Sequence, residues 1–147
     1  MNEITLQLDG ARIAMENLRH NPLARSITFD FTTTFLADTA ARIPTRDCLM
    51  LLTDLAGMAA YIRKHVGENA SHAIAESHAF VTYDLTFELQ ALEGTLESWD
   101  DGYFTMRWMF YCGPGDRSSA AFYVGLMGKV DVAEALRWCD ALDELQR

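Results

Sequence analysis

Between His65 and Met106 the chain carries no lysine or arginine, although eight acids fall in the same stretch. Over all 147 residues, 21 acids stand against 12 bases, giving a formal net charge of −9. A surface this acidic repels a phosphate backbone, which argues against sequence-wide nucleic-acid binding. Cysteine is sparse: Cys48, Cys112 and Cys139, with no Cys-x-x-Cys pair. An odd count without pairing speaks against a disulfide framework and predicts reduced, structural thiols. No run approaches the ~18 apolar residues of a membrane-spanning helix. The first 30 residues hold no basic segment followed by an apolar one, so no secretory signal is expected and the expected compartment is the cytoplasm.

What is present is apolar. Half of the residues are hydrophobic, with eight Phe, five Tyr and three Trp. The length fits one domain on a prior of roughly 100–200 residues per domain. Such a chain builds a core without metal or disulfide staples. No linker, low-complexity tract or residue-level repeat interrupts it.

The hydrophobic pattern divides the chain into two halves of similar order. Ile4, Leu6 and Leu8 alternate before Asp9-Gly10, a hairpin signal in which both turn residues are expected at positive φ. Ile27, Phe29, Phe31 and Phe35 alternate with Thr28, Asp30, Thr32 and Thr34, the period of a half-buried strand. Pro44-Thr45 then reads as a helix start. Cys48, Leu51, Leu52, Leu55, Met58 (or Ala59) and Ile62 recur at spacings of three and four, predicting a helix over 45–65 with Thr45 as N-cap and Asp47 in the first turn. Residues 68–79 read as a loop.

Strands resume with Val81, Tyr83, Leu85, Phe87 and Leu89 on one face. Asp100-Asp101-Gly102 marks a hairpin. Phe104, Met106, Trp108 and Phe110 alternate with Tyr103, Thr105, Arg107, Met109 and Tyr111, large groups on both sides that predict a central strand covered on both faces. Gly113 to Asp116 makes a turn, Ala120 to Met127 a strand, and 131–145 a helix opened by Asp131, with Glu134 placed for a capping box. Runs of strands before each helix predict an α+β domain, a curved antiparallel sheet packed with two main helices.

Chemical motifs are absent. His65, His72 and His78 do not share a helical face, no His-Glu-x-x-His or Cys/His cluster exists, and the histidines read as solvated loop residues. No metal or cofactor is expected. Each cysteine falls in an apolar pattern rather than beside a base. No Gly-x-Ser-x-Gly or phosphate loop is present. The chain reads as non-enzymatic.

The charge distribution points to a partner. Residues 1–64 carry seven acids and seven bases, and the last 41 carry six and five, so nearly all the net charge comes from the middle third. The expected partner-binding set is Asp84, Glu88, Glu97, Trp99, Asp100, Asp101 and Tyr103, with the two aromatics flanking the acidic turn. Complementary charge steers encounter, and aromatics within a polar rim supply contact energy. The expected partner is a basic protein.

This order of elements resembles the small immunity proteins of bacterial polymorphic toxin systems, in particular the WapI-like group. The matching stretches are Ser26–Phe35, Asp47–Ile62, Tyr83–Leu89, Phe104–Tyr111 and Phe122–Leu145. The chain departs from that group in having Thr82-Tyr83 where an acidic-proline pair often stands. The resemblance implies an inhibitor that binds and neutralises a toxin domain, with a nuclease the class that suits an acidic inhibitor; no binding residue is carried over from it. Two other readings follow from the residues alone. One is a small-molecule-binding α+β domain whose pocket is lined by the methionines and the strand Phe104–Tyr111. The other is an assembly subunit that uses Met109 and Tyr111 at an interface.

Overall fold

The computed structural model describes residues 3–36, 42–67, 73–82, 87–98, 101–111 and 123–147, with the backbone alone over 42–47. The first half is a meander. Strands β1 (Glu3–Leu8), β2 (Ala11–Asn21), β3 (Ser26–Phe35) and β4 (Arg42–Leu51) pair in chain order as one antiparallel sheet, and α1 (Leu52–Gly67) follows without a loop. Asp9-Gly10 forms the expected hairpin, closing Leu8 against Ala11. Only Gly10 takes positive φ, +79°, so the turn has the sign pattern of type II rather than two left-handed residues. A bulge in β2 places Asn17 at φ 55°, where its short polar side chain is tolerated and its Nδ2 donates to Asp30 Oδ2 at 2.9 Å.

The predicted helix at 45–65 is corrected at its start. Residues 42–51 form β4, laddered to β3 from Ser26 opposite Leu51 to Thr34 opposite Arg42. Cys48 and Met50 point into the core and Leu49 out, so period two governs there. Thr45 is therefore not an N-cap and Asp47 is not in a first turn; Asp54 is. Pro44 fits because β4 is an edge strand, with one side unladdered. From Leu52 on, the expected stripe holds: Leu55, Met58, Ala59 and Ile62 are buried, and Val66 continues it.

In the second half, β5 (Ala73–Ile74) and β6 (Phe80–Val81) both pair with β7 (Phe87–Ser98), which pairs in turn with β8 (Asp101–Tyr111), and β8 with β9 (Tyr123–Asp131). Helix α2 (Val132–Glu144) closes the order. Two departures follow. Val81 is exposed rather than on the inward face, and residues 83–86 lie outside the described part. Strand β8 is central, but only Phe104, Met106, Trp108 and Phe110 are buried; the opposite face, from Tyr103 to Tyr111, is half-buried or exposed. The turn at 113–116 and residues 120–122 are not described. Asp131 stands at the N-cap of α2 without a side-chain cap bond. Glu134 does not close a capping box; its Oε1 accepts the Gln7 N–H of β1 at 3.1 Å.

There are thus two antiparallel sheets where one was expected, and they share one core. Phe31 of β3 lies edge-on to Phe29, Phe87 and Phe110 at 4.9–5.1 Å between ring centroids, and Trp108 of β8 meets Trp138 of α2 at 5.7 Å. Helix α1 reaches the second sheet, where the Ala91 N–H donates to Tyr61 Oη at 2.8 Å. Arg63 joins the helices through Asp140 and Asp143, at 2.8 and 2.7 Å. At the seam between sheets, the Asp9 N–H donates to the Lys129 carbonyl at 2.7 Å.

Candidate functional site

The long β7–β8 hairpin carries the acidic segment to one end of the second sheet. Near its tip the register shifts between Leu96 and Ser98, leaving Glu97 as the extra residue of a bulge with its side chain in solvent. Asp101 is exposed on the other arm. Gly102 stands at φ +139°, and a Cβ there would lie 2.2 Å from the Thr95 carbonyl oxygen, so only glycine lets the two arms approach this closely. Among the described residues, neither Glu97 nor Asp101 has an ion-pair partner.

Tyr103 is 37% exposed beside them, and the Lys129 ammonium of β9 lies 4.4 Å from its ring centroid. Asp131, opposite Tyr103 across the β8–β9 ladder, adds a further exposed acid. Tyr103, Lys129 and Asp131 line a groove of about 330 Å³ together with Gln7 and Leu8 of β1 and Asp9 of the β1–β2 turn. The groove is where the two sheets meet. Among the described residues that line it, the acids Asp9 and Asp131 stand against the cation Lys129.

The expected site is brought together only in part. Glu97, Asp101 and Tyr103 share the tip end of the β7–β8 hairpin. Glu88 does not extend the acidic patch: Arg107 Nη2 lies 3.4 Å from its Oε1 and also donates to Gln90 Oε1, so that charge is balanced on the sheet. Asp84, Trp99 and Asp100 lie outside the described residues. Pattern reading missed Lys129, Asp131 and the pairing role of Arg107. Alternation assigns each side chain a face within its own strand; their adjacency comes from the register across β7, β8 and β9.

The histidine reading also needs correction. His65 is only 2% exposed, on the inner face of α1, with its ring 4.8 Å from that of Phe104. His78 is exposed, as expected, and His72 is outside the described residues. His65 Nδ1 and Ser77 Oγ are 2.7 Å apart, the separation a nucleophilic serine and its base require. Here the ring is sealed against Phe104, so the pair latches residues 75–79 to α1. Burial holds the His65 pKa below the ordinary histidine value, against a backbone hydrogen bond at Leu92 that raises it. Cys48 and Cys139 are buried, and burial pushes the Cys139 thiol up to about 12, far from a nucleophile's range. Cys112 is outside the described residues. No group of three or more metal-ligating side chains occurs among the described residues.

The inward side chains of Phe104–Tyr111 pack ring against ring between the sheets. Met109 and Tyr111 instead stand on the outward face, where Tyr111 meets Tyr123 at 5.5 Å. No helix is long and apolar enough to cross a membrane among the described residues. Neither protein-family models nor curated protein sequences match the chain.

Proposed function

We propose that this protein is a non-enzymatic binding protein of the immunity type, which docks on a basic toxin domain in the bacterial cytoplasm and neutralises it. The observation that carries this reading is the hairpin tip. Glu97, the extra residue of the bulge, and Asp101, on the facing arm, place two exposed acids at the glycine-shaped end of one hairpin, with Tyr103 two residues further along. A nuclease must present Lys and Arg to phosphates, so an acidic protein that occupies the same groove excludes the substrate. Glu97, Asp101 and Asp131 supply charge, and Tyr103 supplies apolar contact.

The test is co-purification with the product of the neighbouring gene, followed by Glu97→Lys with Asp101→Lys. The double reversal is expected to weaken binding and flatten its salt dependence. A charge desolvated in such an interface is worth ~2–5 kcal/mol on truncation, whereas a rim charge acts mainly on the association rate. Unchanged binding with unchanged salt dependence removes the tip from the mechanism.

A further inference from the structure

A sheet edge is a template for another strand unless something blunts it. Among the described residues the two sheets have four edges, and three of them are blunted. Strand β1 has its Gln7 N–H taken by Glu134 of α2 and its turn tied down by the Asp9 bond to Lys129. Strand β4 carries Pro44 with Arg42, Arg46 and Asp47 in its sequence. The edge beside β7 consists of two strands of two residues each. The fourth edge, β9, is different. From Tyr123 to Gly128 it reads Tyr-Val-Gly-Leu-Met-Gly, with no charge and no proline, and its pairing with β8 runs without a bulge.

The seam bond shows which backbone groups face outward. The Lys129 carbonyl points away from β8, since it accepts from Asp9. Backbone groups of an antiparallel strand alternate between its two sides. The N–H and C=O groups of Met127, Gly125 and Tyr123 therefore face the same open edge. Among the described residues none of them is bonded there, and all three residues are exposed, Met127 at 65% and Tyr123 at 42%.

We propose that the protein self-associates through this edge, two copies pairing β9 to β9 antiparallel about a two-fold axis at Gly125. The stretch is self-complementary in that register. Tyr123 falls opposite the partner copy's Met127, and Val124 opposite the partner copy's Leu126, so every apolar side chain meets another. A tyrosine ring against a thioether is a favourable pair, and Tyr111 behind Tyr123 extends it. No like charges oppose one another, because Tyr123 to Gly128 carry none.

A two-fold ladder this short buries less than the ~1,600 Å² of a standard interface, and each copy carries a net charge of −9. The dimer is therefore weak and tightens with salt, which screens the repulsion. That dependence is opposite in sign to the docking of an acidic tip on a basic toxin, so the two contacts are separable.

Sedimentation equilibrium on the full chain, at low and high salt, tests this. The wild type is expected to show a reversible monomer–dimer equilibrium that salt strengthens. Tyr123→Lys with Met127→Lys sets lysine against lysine at both cross-strand pairs and is expected to raise the dimer Kd about tenfold or more. Tyr123→Lys with Met127→Glu sets lysine against glutamate in this register alone, and is expected to restore association to within a few-fold at low salt. Both side chains point outward, so circular dichroism should be unchanged in either variant. A wild type that stays monomeric to about 1 mM overturns the proposal. A dimer that the double lysine variant leaves intact moves the contact off β9. A lysine–glutamate variant as weak as the double lysine one rejects the axis at Gly125.

Discussion

Among the described residues, His65 is a buried histidine whose pKa is lowered by its burial. Its folded pKa is depressed by burial, so the unfolded chain binds the proton more readily. Stability from this residue is fully present above the unfolded value, about 6.5, and is lost as pH falls from there through the folded value. Denaturant midpoints measured from pH 8 down to 5 should therefore decline below about 6.5 in the wild type. In His65→Gln that portion of the slope should vanish; a slope that persists assigns it elsewhere. Cys139 gives a second check at this scale. With its thiol up at about 12, alkylation in the native state at pH 8 should be negligible and should appear only in denaturant. Gly102→Ala should destabilise the hairpin by about 1–3 kcal/mol, the cost of a strained backbone position, with its bulge disordered by amide exchange. Individual residues of the candidate site were legible to the extent that single-strand alternation decides them. Glu97 and Asp101 sit in solvent as hairpin-tip acids should. The neutralising of Glu88 by Arg107 was not legible, because it depends on which residues three strands set side by side.

At the scale of elements, the start of α1 shows where pattern alone misleads. Cys48, Leu51, Leu52 and Leu55 satisfy helical spacing, yet Cys48 and Met50 equally satisfy a strand, and short apolar runs do not separate the two. Pro44 suits either a first helical turn or an edge strand. The ladder to β3 decides, and it pairs Cys48 to Leu51 with Phe29 to Ser26, 19 to 25 positions earlier, beyond any local window. The second helix was readable almost to its ends because Asp131 marks its start and its stripe is uninterrupted. Its capping box failed for a tertiary reason: Glu134 finds a better-placed donor in Gln7 of β1. That bond protects a sheet edge, so Glu134→Ala should speed amide exchange at Gln7 markedly while lowering stability by only about 1 kcal/mol. Slow exchange at Gln7 in the variant would mean that the edge is guarded by something else.

For the whole molecule, the order of strands, helix, strands, helix was legible, and the α+β class with it. The number of sheets was not. Period two tells which face of a strand is apolar, but not which other apolar face it meets. Phe31 settles that question physically. It comes from the first sheet and stands among Phe87, Trp108 and Phe110 of the second, so neither half has a core of its own without the other. Helix α1, tied to Ala91 through Tyr61 and to α2 through Arg63, adds a second crossing between the halves. Two halves that share their core should unfold in one transition. Phe31→Ala removes a ring central to the shared cluster and should cost about 3–5 kcal/mol, the usual range for a buried phenylalanine. The same loss should appear in tryptophan fluorescence, since Trp99, Trp108 and Trp138 all fall in the second half of the sequence, and in far-ultraviolet circular dichroism, which sees both halves. Coincident shifts of the two midpoints are expected. A tryptophan midpoint that stays at its wild-type value while the dichroism midpoint falls would show that the second half holds together without Phe31, and would overturn the shared core.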